Sequence, residues 1–309
     1  MSKYPQSVES CISKFYADDL AKDKTLSPRS VEGYRETAQG VFKLLSLSAP
    51  GILPHAIAQS DVRALLDYMA EEGYAVSTRK NYIGVLMRIM GFYGNFSIHE
   101  MKIVWPQDMR PNVDWLSFED AQYLMDFPQT PNQEMLVNCE LGMGFRRVEV
   151  ARMGVQHVHD GYIDVVGKGR SGRKLRTVPF HPRTHDVVRR YREYRGGLIA
   201  AAQAVSRHPV SVPPPNMLVY RVKGDIRGYS RQAKLTGLDK IMEGLSEQAG
   251  FHFSHHTLRR TFGRIMYRSN VPIATIAKIY GHESTDTTLR YIGVDMDDMG
   301  AAMSMYRLK

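Results

Sequence analysis

Between Val8 and Tyr93 the apolar residues recur every three or four positions in four separate runs, each bounded by a cap residue, a proline or a glycine. That period lays one greasy stripe along a helix and is incompatible with the two-residue alternation of a half-buried strand. Val8, Ile12, Phe15, Tyr16 and Leu20 form the first stripe, over residues 4–22. Ser27-Pro28, a cap followed by proline at the first helical position, opens a second through Val31, Tyr34, Ala38, Val41 and Leu45. Pro50, Gly51 and Pro54 then break the chain. Ser60 caps a third helix carrying Val62, Leu65, Leu66 and Met69 and ending near Gly73, and Ser77 caps a fourth with Tyr82, Val85, Leu86, Ile89, Met90 and Tyr93. Four helices with short connections predict a small helical N-terminal domain over residues 1–100.

The stretch MKIVWPQDMRPNVDW, residues 101–115, holds two prolines and no helical period, and reads as a linker into a second domain over residues 116–309. There, Ser117 and Asp120 form a capping-box pattern for a helix through Ala121, Leu124 and Met125. An apolar helix over Asn132–Gly142 leads to GMGFRRVEVARM, where the glycines stop one helix and another presents Arg146, Arg147 and Glu149. YIDVVGKGR and KLRTVPF are β-rich and predict a hairpin with a long basic turn. Residues 195–215 read as a Gly-, Ala- and Pro-rich surface excursion with a short helix around Leu198–Val205, followed by a short strand, Met217–Tyr220. A helix from Gln232 to Gln248 precedes two more, broken at Pro272 and at Gly281. The fold class is mainly α with a small β-hairpin, an α+β chain of two domains.

The 309 residues, 43% hydrophobic, suffice for two cores. A net charge of +9 points to a polyanionic partner. Ten lysines and arginines face three carboxylates between Tyr162 and Arg195, a density that suits a nucleic-acid backbone better than scattered solubilising charge. Candidate DNA contacts are Arg79, Lys80 and Arg88 on the fourth helix, and Arg170, Arg173 and Lys174 in the hairpin turn. Lys168 sits there between two glycines, where an ammonium has room to move. Cys11 and Cys139 have neither metal-ligand spacing nor a disulfide framework, and no carboxylate cluster suggests a metal, so no cofactor is expected. No apolar run reaches membrane-spanning length and the N-terminus carries no secretory core, so a cytoplasmic, DNA-associated protein is expected.

The segment from His255 to Tyr291 concentrates phosphate-friendly chemistry. His256 and Arg259 share one helix face, and His282 and Tyr291 follow nine residues apart. Taken together, an arginine at a helix turn with Glu three residues on, a GKG hairpin, H-x-L-R, G-H and a tyrosine nine residues later resemble the tyrosine recombinase, or phage integrase, family in order and spacing. The likeness spans nearly the whole chain, its first domain included, which looks like that family's core-binding domain.

The resemblance implies that Tyr291 is a nucleophile cleaving and rejoining DNA through a 3′-phosphotyrosyl bond. It implies that Arg146 and Arg259 clamp the phosphate with Glu149 in support, and that Lys168 is the general acid. His256 would act as base or phosphate ligand, and His282 would donate to the phosphate. It further implies a double-stranded partner bearing specific recombination sites, a homotetramer on DNA, and possible accessory DNA-bending proteins. Arg147 stands where that family usually has an aliphatic residue and Arg260 where it usually has histidine, so Arg147 competes with Arg146 and His255 adjoins His256. Alternative readings are DNA relaxation of the type IB topoisomerase kind and a catalytically idle DNA-binding regulator. The methionine-rich tail, with Met296, Met299, Met303 and Met305, is expected to pack on a neighbour or back on its own domain.

Overall fold

The first helix is shorter than its stripe. In the computed structural model α1 spans Val8–Phe15, and a π-helical turn, Tyr16–Leu20, carries the chain on. The structure describes residues 5–106, 114–127, 129–167, 175–205, 217–218 and 235–293. The chain forms two compact units, Met1–Pro111 and Asn112–Lys309.

In the first unit α2 (Pro28–Ser48) opens on Ser27, whose hydroxyl accepts from the Ser30 N–H at 3.1 Å. The third helix, α3 (Gln59–Glu71), starts just before the expected cap Ser60, and the Asp61 carboxylate accepts from the Ala58 N–H at 2.8 Å instead. α4 (Val76–Phe92) completes the unit. Phe15, Ala38, Val41, Leu45, Val62, Met69, Leu86 and Ile89 fill one core at the spacings of their stripes. Tyr93 ties the ends together by donating to the Cys11 carbonyl at 2.9 Å.

The second unit begins with α5 (Phe118–Asp126), where the Ser117 hydroxyl accepts from the Asp120 N–H, and α6 (Pro131–Val137). The apolar run to Gly142 does not stay α-helical: Asn138–Gly142 forms a π turn, an irregularity often found beside functional sites. α7 (Arg147–Arg152) follows. β1 (Tyr162–Val166) and β2 (Leu175–Pro179) pair antiparallel with Tyr162 opposite Pro179, and Ile163, Val165 and Val178 turn inward as the two-residue period requires.

One expectation holds only in part, since the helix around Leu198–Val205 is present but as the end of a longer one. Residues 182–205 form a single helix, α8 (Pro182–Val205), which runs straight through Gly196-Gly197. Val187, Val188, Tyr191 and Ile199 continue one buried face across the glycine pair, and that packing outweighs the roughly 1 kcal/mol each mid-helix glycine costs. Nor do Met217 and Leu218 belong to a strand; the Met217 N–H donates to the Met153 carbonyl at 2.9 Å, while Val219 and Tyr220 lie outside the described residues. The expected helix from Gln232 is seen as α9 (Leu235–Ala249), with residues 232–234 likewise outside. Last come α10 (His255–Arg268), α11 (Ile273–Tyr280) and α12 (Thr285–Ile292). The methionine-rich tail lies outside the described residues. Among the described residues no helix is long and apolar enough to cross a membrane.

Candidate active site

The site is built on the end of α11. Gly281 adopts the left-handed conformation, φ +66°, and the N–H groups of Gly281 and His282 return to the carbonyls of Lys278 (3.1 Å) and Ala277 (2.9 Å). This is the double bond of a Schellman cap, and it leaves the last two carbonyls of the helix looking outward at its negative pole. Guanidiniums take them. Arg176 on β2 donates its Nε–H to the Ile279 carbonyl at 2.6 Å. The Tyr280 carbonyl accepts from Arg146 Nη1 at 3.2 Å and from Arg259 Nη2 at 3.1 Å.

The same three arginines share one carboxylate. Glu149, its side chain 1% exposed, accepts from Arg146 Nη1 at 2.8 Å and from both terminal nitrogens of Arg176 at 2.9 and 2.8 Å. Arg259 Nη1 stands 3.5 Å away. Glu149 also accepts from the Arg146 backbone N–H at 2.8 Å, closing the first turn of α7. Burial by itself would push the Glu149 carboxyl up; the Arg176 hydrogen bonds and charge, with the Arg146 N–H and Arg259, reverse this and hold it at about 2. Three fixed positive charges against one negative leave a surplus suited to an incoming anion.

Arg259 is the largest fully buried side chain, 1% exposed. Its Nη1 donates to the Gly144 carbonyl, and its Cζ lies 4.2 Å from the centroid of the Tyr280 ring beneath it. Gly144 has φ +68°, and a Cβ there would come within 2.5 Å of Phe262 and 2.8 Å of Tyr280, so the turn approaches α10 this closely only without a side chain. Burial and the Arg146 charge hold the Arg259 guanidinium down at about 10, still charged at neutral pH.

The Tyr291 ring stands edge-on to Tyr280 and His282 at 5.5 and 5.7 Å, with the Arg259 and Arg260 guanidiniums 5.6 and 5.4 Å from its centroid. Its hydroxyl lies 3.3 Å from His256 Nδ1. Burial raises the phenol above its ordinary value although Arg259, Arg260 and Arg146 pull it down, so ionisation needs a base. His256 is lowered by burial and by the Arg260 and Arg259 charges, which keeps the imidazole neutral and able to accept the phenol proton. His282 is lowered further, to about 4, by burial and then by Arg259 and Arg146. Arg259 can only donate to His282 Nε2, at 3.4 Å, so Nδ1 carries the proton and donates to the Thr288 hydroxyl at 2.8 Å.

Arg146, Glu149, His256, Arg259, His282 and Tyr291 thus stand in one cluster. Arg147 does not: its guanidinium turns to Asp239 on α9. His255 also turns away, its Nδ1 lying 2.8 and 2.9 Å from the two oxygens of Glu140. Lys168, Arg170, Arg173 and Lys174 lie outside the described residues. In the first unit Arg79 is half-buried, and Lys80 is exposed with its ammonium 5.8 Å from the Trp105 ring. Arg88 is turned inward, paired with Asp19 at 2.8 Å and Asp23 at 2.9 Å, with Tyr34 under its guanidinium. Those carboxylates hold its Nε and one terminal nitrogen. Arg176, Tyr280 and Thr288 escaped sequence reasoning. Arg176 was one cation in a run of ten, and Tyr280 reads as an ordinary apolar position of its helix although both its carbonyl and its ring meet Arg259.

Comparison with known proteins supplies the context. The phage integrase family matches residues 114–297, more than half of the chain. The chain belongs to that family. Its members are tyrosine recombinases, DNA strand-transferring enzymes. Tyrosine recombinase XerD of Listeria monocytogenes is 22% identical over 288 residues, covering 89% of this chain and 91% of that protein. Tyrosine recombinase XerC of Vibrio vulnificus is 23% identical over 305 residues, covering 96% and 90%. The Tn1549 transposon integrase, solved with circular intermediate DNA, matches with a TM-score of 0.66 at 16% identity over 97% of this chain and 99% of that one. The XerH recombinase bound to its difH substrate matches at 0.62 with 15% identity, covering 99% of both chains. The solved structures speak for the fold of this integrase-family chain, helical with one two-stranded sheet among the described residues.

Proposed function

We propose that this integrase-family chain cleaves and rejoins double-stranded DNA at specific sites, with Tyr291 as the nucleophile. The observation that carries the reading is the Tyr291 hydroxyl 3.3 Å from His256 while its ring lies over Arg259. The phenol oxygen attacks phosphorus as its proton passes to His256. The bond to the 5′-oxygen breaks, and Lys168 protonates that oxygen, giving a 3′-phosphotyrosyl bond and a free 5′-hydroxyl. The exchanged bond keeps its energy, so rejoining runs the same steps backwards.

Arg146 and Arg259 meet the non-bridging oxygens, where charge grows and forked donors fit. Among its described contacts Arg146 uses its backbone N–H and Nη1, which leaves the other guanidinium edge for an oxygen. His282 gives the phosphate a further hydrogen bond. Arg79, Lys80, Arg170, Arg173 and Lys174 contact the DNA backbone, with the helical first unit embracing the duplex as a core-binding domain. Exchange between two duplexes requires a tetramer of this chain, with accessory bending proteins as further partners, in the cytoplasm on DNA.

The test is covalent capture. Purified protein is incubated with a library of random-sequence duplexes, quenched in detergent and digested with trypsin. A peptide carrying Tyr291 joined to a 3′-phosphate is expected, with the recovered DNA converging on one sequence. No adduct with any duplex, or an adduct that persists in Tyr291→Phe, rejects the assignment. Strand exchange between two duplexes carrying the recovered sequence separates recombination from relaxation alone.

A further inference from the structure

Behind the site lies a second chain of charged groups that the strand-transfer chemistry does not touch. Glu140, on the π turn, is fully buried, and both its oxygens meet His255 Nδ1. The other ring nitrogen, Nε2, is buried and makes no hydrogen bond among the described residues, while Asp239 on α9 lies within ion-pair distance at 3.3 Å. Asp239 in turn holds Arg147, the first residue of α7. Four elements therefore meet at one imidazole. They are the π turn leading to Gly144, α7 with Arg146 at its cap, α9, and α10, whose next residues include His256 and Arg259.

The geometry sets a proton count. A neutral imidazole has one N–H, yet here each ring nitrogen faces a carboxylate. If the Glu140–His255 pair holds one proton, Nδ1 donates to the buried Glu140 and a bare Nε2 lies beside the Asp239 carboxylate. If it holds two, Nε2 carries a proton beside the Asp239 carboxylate and the contact becomes an ion pair, whether the second proton resides on the ring or on Glu140. We propose that His255 is a positioning residue, and that the Glu140–His255 pair keeps its second proton so that α10 is clamped between the π turn and α9 with His256 and Arg259 in register with Tyr291. Burial pushes the Glu140 carboxyl up to about 7, against the pull of His255, Arg147 and Arg259, the direction that favours a proton held within the pair. The other charges bearing on the ring are Arg147 from α7, Asp239 from α9, and His256 and Arg259 from α10 itself.

The inference about cleavage rests on the reading of Tyr291 given above, but the proton count does not, and the experiment separates them. In the full-length DNA-free chain, ¹⁵N NMR of the histidine rings at pH 6.5 is expected to show Nε2 of His255 protonated, with loss of that proton moving to lower pH in Asp239→Asn. A bare Nε2, or one whose titration ignores Asp239→Asn, overturns the clamp whatever the enzyme does. Cleavage of the duplex recovered by covalent capture is then followed against pH. Loss of the clamp displaces His256 and Arg259, and displacements near 1 Å lower rates about 100-fold, so His255→Gln is expected to lose about that much and to lose the alkaline limb belonging to the pair. Asp239→Asn, at a partly exposed position, keeps the fold and shifts that limb to lower pH. Wild-type rates in His255→Gln, or an unshifted profile in Asp239→Asn, overturn the positioning role. A protonated Nε2 in a chain that forms no adduct rejects the strand-transfer reading and leaves the clamp.

Discussion

His282 shows how a single residue's hydrogen bonds constrain its chemistry. With Nδ1–H given to Thr288 and Nε2 accepting from Arg259, the ring is neutral and has no donor left for a phosphate. To donate from Nε2 it must gain a proton, and its value of about 4 in the free protein means the gain accompanies binding. A group protonated in the complex and neutral in the free chain makes binding tighter as pH falls towards its free value. Affinity for the recovered duplex is therefore expected to weaken from pH 5 to 8, with up to one proton taken up. Calorimetry in buffers of different ionisation heat measures this; His282→Asn is expected to abolish it, and a buffer-independent heat would count against donation by His282. At this scale the sequence was most legible where residues share a helix. The i, i+3 spacing puts His256 with Arg259 and Arg146 with Glu149, and the structure brings both pairs into the cluster. It was silent on Arg176 and Glu140, whose partners lie 27 and 115 positions away.

Among the elements, α7 depends on a carboxylate that belongs as much to β2 and α10. Glu149 sits at about 2 against an ordinary 4.5, so its contribution to stability is complete above pH 4.5 and is lost as pH falls towards 2. The shift corresponds to roughly 3 kcal/mol. Glu149→Gln leaves buried guanidiniums facing a neutral group and is expected to cost about 3–5 kcal/mol at pH 7, with the gap to wild type closing at pH 3, read by urea unfolding. A gap independent of pH would show that the charge does not matter. In α8 the prediction runs the other way. Gly196 is exposed mid-helix, and nothing lies within 4 Å of a Cβ built there, so Gly196→Ala is expected to stabilise by about 1 kcal/mol. Sequence pattern gave most helices because stripes and caps are local. It missed the continuity of α8, where packing overrode the glycine signal. It also missed both π turns, because a five-residue bulge hardly disturbs an apolar stripe.

Among the described residues the first unit has one core and the second has two apolar clusters, and the two units are expected to respond to separate insults. Arg88→Leu removes the bridges to Asp19 and Asp23 and should lower the unfolding transition of the first unit alone, leaving the salt slope of DNA binding unchanged. Gly144→Ala forces a side chain into Phe262 and Tyr280 at a left-handed position, and overpacking of that kind costs roughly 1–3 kcal/mol in the second unit. Calorimetry in which both substitutions lower the same transition would deny the units their independence. The Tyr280 carbonyl has a final consequence, for how the molecule comes into being. Arg146 and the carbonyl that holds it are separated by 134 positions, and at 5–20 residues per second a ribosome needs roughly 7–27 s to make the second after the first. During that interval the growing chain has Glu149 and Arg146 but neither the helix pole that aims the guanidinium nor the tyrosine. With Tyr291 as the proposed nucleophile, translation order leaves unfinished chains without the means to break DNA.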